Sequence, residues 1–242
     1  MSTRTLTTKT CSGQDSRRAP VTPCPMPLYD YLAPLYDPAF HPIYLPYRTR
    51  ALAALPLKPG MRVLDLACGT GQNFPLIAPR LAPGGEITGL DISAGTLWHA
   101  ARYARAQQHC RIRLVHADAT RTSRAPGESS SPRALIPEHS MDACICTYGL
   151  SSIPDWQAAL DFGIRTLRPG GIFLLHDIHA DATHPLPHTR LVELATFTNL
   201  RHKLWLPLQQ HAPRFSLKWE APHTRWIFGG TLFTAMAEVS RL

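Results

Sequence analysis

Short apolar runs that stop at a polar residue alternate with longer amphipathic stretches through the middle of the chain, with Gly and Pro at the joins. Met61–Leu66, Glu86–Asp91, Arg111–His116, Met141–Thr147 and Ile172–His176 have the length and β-branched content of buried strands. Between them, the stretch after Gly71 to Leu81, Ser93–Gln108 and Asp155–Leu167 read as helices, Asp155 supplying a cap. Pro83-Gly84-Gly85 and Arg168-Pro169-Gly170-Gly171 read as turns. Strand and helix in strict succession predict an α/β, doubly wound, mostly parallel sheet. Further along, Phe215–Trp219 and Trp226–Ala237 are expected as two more strands, and Phe40–Ala54 as a helix leading into the first strand.

The most informative join is Met61–Gly71, where an apolar strand ends in Asp65 and breaks into a glycine-bearing turn. A carboxylate at a strand's carboxyl end lies where open α/β sheets bind ligands. Three nucleotide-site readings compete. A phosphate-cradling loop closes with Gly-Lys-Ser/Thr, but Gln72, Asn73 and Phe74 follow Gly71. A dinucleotide fingerprint needs a third glycine, and Phe74 stands in its place. What remains is a nucleoside ligand without pyrophosphate, supported by Asp91, a second strand-end carboxylate able to accept from both hydroxyls of a ribose.

At these residues the chain resembles the class I S-adenosylmethionine-dependent methyltransferases. Their acidic residue followed by Gly-x-Gly-x-Gly is met by Asp65, Ala67, Cys68, Gly69, Thr70 and Gly71, with Ala67 replacing the first glycine. The resemblance implies a Rossmann-like methyltransferase fold, a seven-stranded sheet with an antiparallel edge strand. It also implies S-adenosyl-L-methionine as cofactor, met by Asp65, Ala67, Cys68, Gly69, Gly71 and Asn73 around the loop, by Asp91 and Ile92 after the second strand, and by Asp118 and Ala119 after the third. Asp118 would accept from the adenine amino group and the Ala119 amide would meet a ring nitrogen. The segment Tyr29-Asp30-Tyr31-Leu32-Ala33-Pro34-Leu35-Tyr36-Asp37 resembles one that folds over the cofactor's methionine end in quinone C-methyltransferases and bacterial phospholipid N-methyltransferases. Tyr29 and Tyr36 are therefore expected in a lid. The block Tyr148 to Trp156 with Leu167-Arg168-Pro169-Gly170-Gly171 is similar to lipid head-group methyltransferases, notably those acting on a homoserine-linked diacylglycerol.

Charge and composition narrow the partners. The 242 residues allow one sizeable core, with residues 1–27 a disordered basic tail and 28–242 a single domain opening on a helical lid at 28–56. No apolar run reaches the roughly 20 residues of a membrane span. The six cysteines form no paired metal knuckles and suit a reducing, cytoplasmic setting. Cys144 and Cys146 are expected on one face of a strand. A net charge of +8 leaves a solvated surface or an anionic membrane as readings, and no nucleic-acid motif is present. Leu200–Leu208, which mixes cations with leucines and Trp205, is either a segment lying on a membrane or a packed helix.

Chemistry is expected at Thr147 and Tyr148, where the fourth strand opens onto the crevice. It is also expected in a histidine-rich loop holding His176, His179, His184 and His188, with His176 the catalytic residue. Without regular ligand spacing, no metal is expected there. With no compelling general base, an amine on a lipid head group or small molecule is the favoured acceptor. Carbon or oxygen of a soluble molecule such as a quinone precursor is the alternative, and a non-catalytic cofactor-binding protein is the third reading.

Overall fold

The computed structural model describes residues 41–108, 110–121, 132–181, 186–196 and 198–240. The tail at 1–27, the first part of the lid with Tyr29 and Tyr36, His184 and residues 122–131 of the polar insertion at 120–140 lie outside the described residues.

A helix over residues 41–53 (α1) precedes β1 (Arg62–Leu66), α2 (Phe74–Leu81), β2 (Glu86–Asp91), α3 (Ala94–Ala106), β3 (Arg111–His116), the short α4 (Pro132–Leu135) and β4 (Met141–Thr147). Then come α5 (Trp156–Thr166), β5 (Leu167–His179), α6 (Thr189–Thr196), α7 (Leu206–His211), β6 (Arg214–Trp219), α8 (Thr224–Phe228) and β7 (Thr231–Glu238). The seven strands lie in the order β3-β2-β1-β4-β5-β7-β6. β1 to β5 pair in parallel, and β7 runs antiparallel to both β5 and β6 at that side of the sheet. Strand order reverses between β1 and β4, so a crevice opens at their carboxyl ends.

Period-two alternation along β1 feeds both layers. Leu64 and Leu66 join Cys144, Cys146, Phe162 and Phe173 in one buried cluster, whereas Val63 joins Phe74, Ile77, Ile87 and Ile145 in the other. A strand buried on both faces cannot slip by one residue without inverting that set, which fixes where Asp65 ends up. Cys144 and Cys146 do share a face and are free thiols.

Three expectations are corrected. β5 runs past His176 to His179, because antiparallel β7 offers partners for it as far as His179↔Thr231. His176 and His179 are thus strand residues. Arg168–Gly171 is taken up within β5, where the register shifts between Met141↔Leu167 and Ala143↔Ile172. Trp226 lies in α8, because Thr224 and Phe228, one helical turn apart, both turn into the core. In Leu200–Leu208, Leu200, Leu204, Trp205 and Leu208 are buried and Leu206 is exposed, so this stretch packs most of its apolar side chains on the body.

Candidate active site

After β1 the chain turns sharply, with Ala67 at φ 53° and Gly69 at φ 54°. The Cys68 amide donates to the Leu90 carbonyl at 3.0 Å, tying the loop to the end of β2. Gly69 donates its amide to Asp91 Oδ2 at 2.7 Å. A Cβ added to Gly69 would meet nothing within 4 Å, so this part of the loop borders open space. Cys68 is buried, and burial pushes its thiol well above the ordinary value, an inert neighbour to the two carboxylates.

Asp91 Oδ1 accepts from the Ser93 amide at 2.9 Å and from Thr96 Oγ1 at 3.2 Å. Burial raises the Asp91 pKa, opposed by the bonds from Ser93, Gly69 and Thr96. Ser93 caps α3 by accepting from the Thr96 amide. Ile92 is exposed beside it, its carbonyl 2.9 Å from His116 Nε2. Asp118 and Ala119 stand past the end of β3 on the same edge of the sheet, tethered by the Ala117 amide donating to the Asp91 carbonyl at 3.1 Å. Asp118 spends Oδ1 on Thr120, at 2.9 Å from its amide and 2.7 Å from its hydroxyl, and pairs Oδ2 with Arg121 at 3.6 Å. Ala119 is buried.

On the other side of the loop, α1 delivers a residue that sequence reasoning missed. The buried guanidinium of Arg48 donates to Asn73 Oδ1 at 2.7 Å and to Thr147 Oγ1 at 2.5 Å. Asn73 passes the connection on, its Nδ2 donating to Asp65 Oδ1 at 2.9 Å and lying 3.1 Å from Thr147 Oγ1. Three segments far apart in the chain thereby meet in one buried polar network. Asp65 is wholly buried, and its Oδ2 has no hydrogen-bond partner among the described residues. Desolvation lifts its pKa to about 7, against the bond from Asn73 and the charge of Arg48.

Next to this network stands a tyrosine–histidine pair. The Tyr148 hydroxyl lies 2.8 Å from His176 Nε2, and His176 Nδ1 lies 2.9 Å from Thr234 Oγ1. His176 is fully buried, and burial lowers its pKa to about 3, so the ring is neutral. A neutral imidazole donates from one nitrogen and accepts at the other, and Nε2 faces the phenol while Nδ1 faces the Thr234 hydroxyl. Tyr148 itself sits at φ 57°, a left-handed conformation that a bulky residue holds only when its surroundings force it. Those surroundings are the Arg48 guanidinium 5.0 Å from its ring centre and the Tyr44 ring at 4.5 Å. Of the expected site residues, Asp65, Asn73, Thr147, Tyr148 and His176 converge with Arg48, while Gly69 and Asp91 form the adjoining half. His179 turns instead toward Trp205, its ring centre 4.9 Å away.

Residues 63–171, from β1 into β5, match the family described as a methyltransferase domain. The matched stretch contains Asp65, Gly69, Asp91, Thr147 and Tyr148. A demethylmenaquinone methyltransferase of Geobacillus sp. (strain WCH70) is 25% identical over 128 residues, 53% of this chain and 50% of the relative. The chain thus spans about half the length of that curated relative. In fold, the domain is similar to the phosphoethanolamine N-methyltransferase 2 of Haemonchus contortus, at TM-score 0.65 and 14% identity over 88% of this chain and 58% of that one. It is also similar to the [4+2]-cyclase SpnF, at TM-score 0.56 and 18% identity over 81% of both chains. One fold therefore hosts different chemistries, and function has to be argued from the site. No helix among the described residues is long and apolar enough to cross a membrane.

Proposed function

We propose that this protein is an S-adenosylmethionine-dependent methyltransferase whose acceptor is an amine on a small molecule or a lipid head group. The observation that carries the reading is the buried, unsatisfied Oδ2 of Asp65 beside the Tyr148–His176 pair. A buried acceptor without a donor costs about 1–3 kcal/mol, and an α-ammonium group from a bound ligand would remove that cost. The Arg48 cation in the same network complements an α-carboxylate. A carboxylate offers about four acceptor positions, and Asp91 has three protein donors, leaving one position for a ribose hydroxyl. The residues thus fit the methionine and ribose ends of the cofactor. Asp118, with both oxygens engaged locally, must exchange a bond with Thr120 or Arg121 to accept from an adenine amino group.

When bound, the cofactor supplies a methyl group already activated on a sulfonium. The protein's work is then positioning and exclusion of water. Nε2 of neutral His176 would accept a hydrogen bond from the Tyr148 hydroxyl, which leaves the phenol oxygen's lone pairs to accept an N–H of the substrate amine and orient it. The Thr234 hydroxyl, 2.9 Å from Nδ1, holds the imidazole in this orientation. Arg48 and Tyr44 fix the tyrosine ring from the other side.

Methyl transfer to carbon of a soluble ring compound is the second reading, supported by the curated relative's name. Single-turnover assays with methyl-labelled cofactor against amines, lipids bearing amine head groups and quinone precursors test both. Label on nitrogen supports the first reading. Label on carbon alone supports the second, and tight cofactor binding without transfer to any acceptor contradicts both.

A further inference from the structure

We propose that the face formed by α6 and α8 docks on the surface of an anionic lipid bilayer. The argument rests on exposure and charge, and it stands apart from the identity of the methyl acceptor. Leu191 and Leu194 lie on one side of α6, and Leu194 is 73% exposed. Trp226 and Ile227 project from α8, with Trp226 66% exposed. The two helices are neighbours, because Thr189 donates its hydroxyl to the Gly229 carbonyl at 2.7 Å and the His188 and Trp226 rings stack at 6.1 Å. Four large apolar side chains from adjacent helices thus face outward together, which isolated surface leucines do not do.

The charge around this face specifies the partner. Arg190 stands on α6 and Arg225 on α8, Lys203 lines the recess beside them, and the one acid on the two helices, Glu193, is paired with Arg201 at 3.8 Å. Arg190, between the buried Thr189 and the exposed Leu191, is itself exposed. An apolar face carrying tryptophan and rimmed by cations suits the boundary between anionic head groups and acyl chains, where the ring meets both environments and each cation adds attraction. A cavity of about 570 Å3 opens alongside, lined by Thr189, Trp219 and the charged Asp181, Lys203 and Arg225 among others, so a zwitterionic or anionic head group of the docked layer has a recess with two cations to enter.

The test is co-flotation of the full chain with vesicles of phosphatidylcholine alone and of phosphatidylcholine mixed with phosphatidylglycerol. Binding to the anionic vesicles that weakens with salt is expected, and Leu194→Ser and Trp226→Ser should each lower partitioning roughly tenfold. Brominated acyl chains should quench tryptophan emission in the parent and less in Trp226→Phe. Absence of binding to anionic vesicles overturns the proposal, as does binding unaffected by both serine substitutions. It is equally overturned if sedimentation shows a dimer that the same substitutions dissolve, since the face would then cover a second copy. Cofactor binding and transfer to a water-soluble amine should persist in both serine variants, so failure of docking is distinguishable from failure of the methyltransferase reading.

Discussion

The phenol oxygen of Tyr148 and Nε2 of His176 are 2.8 Å apart, on residues 28 positions apart in the chain, joined because β4 and β5 are parallel neighbours with Thr147 opposite His176. Tyr148→Phe keeps the ring and its packing while deleting the hydroxyl. Methyl transfer should fall by about 10²-fold or more, with S-adenosylhomocysteine affinity unchanged by calorimetry. Burial keeps His176 neutral down to about pH 3. The kcat profile should therefore show no inflection from this imidazole in the range of about pH 5–8 where an ordinary histidine titrates. An inflection there that disappears in His176→Gln would contradict the assignment.

Asp65 carries the opposite signature. Its pKa in the fold is raised to about 7, above the 3.8 of a free carboxyl, so folding favours its protonated form. That contribution to stability is fully present below about pH 4 and is lost as pH rises through about 7. Asp65→Asn removes the ionisation, so it should be more stable than the parent at pH 8 by on the order of 2–4 kcal/mol, and the gap should close toward pH 4. The same variant should bind S-adenosylhomocysteine more weakly. Denaturant unfolding at the two pH values checks the first statement, and a gap that widens on acidification would refute it.

Ala67 stands where the resembling motif has glycine, and it holds φ 53°. A side chain in this region costs roughly 1–2 kcal/mol. Across the loop, a Cβ on Gly149 would come within 2.7 Å of the Ala67 Cβ, so the missing side chain at 149 makes room for the one at 67. Ala67→Gly should raise stability by about 1 kcal/mol and Tm by about 2–4 °C. Gly149→Ala should lower both. Thermal unfolding monitored by circular dichroism measures each.

Much of the sheet was legible because its central strands are buried on both faces and its apolar runs are bounded by turn residues. Glu86–Asp91, Arg111–His116 and Met141–Thr147 are found with the expected limits. Asp65 and Asp91 were legible for the same reason, being the polar residues that close apolar runs. Information that the chain does not carry locally was hidden. The length of β5 depends on β7, some 50 residues later, and His179 reads as a loop residue until that partner is supplied. Arg48 lies in a helix whose sequence gives no sign that its guanidinium crosses to Asn73, 25 residues away, and Thr147, 99 away. In Leu200–Leu208 the cations suggested a surface, but leucines spaced at four residues fit the core equally well, and the core took them. The apolar residues that do face outward, Leu194 and Trp226, lie in helices too short to show a clear period.

The central claim is that the crevice at the carboxyl ends of β1 and β4, bordered by Gly69 and Asp91, takes an adenosyl ligand without pyrophosphate. Calorimetric titration of S-adenosylhomocysteine and of NAD into the full chain, and into Asp91→Ala with its circular dichroism checked, tests it most directly. Saturable binding of S-adenosylhomocysteine is expected, with none of NAD. Affinity should fall at least about tenfold in Asp91→Ala, for loss of a charge-assisted hydrogen bond, with secondary structure retained. Binding of NAD without S-adenosylhomocysteine, or undiminished affinity in Asp91→Ala, would contradict it.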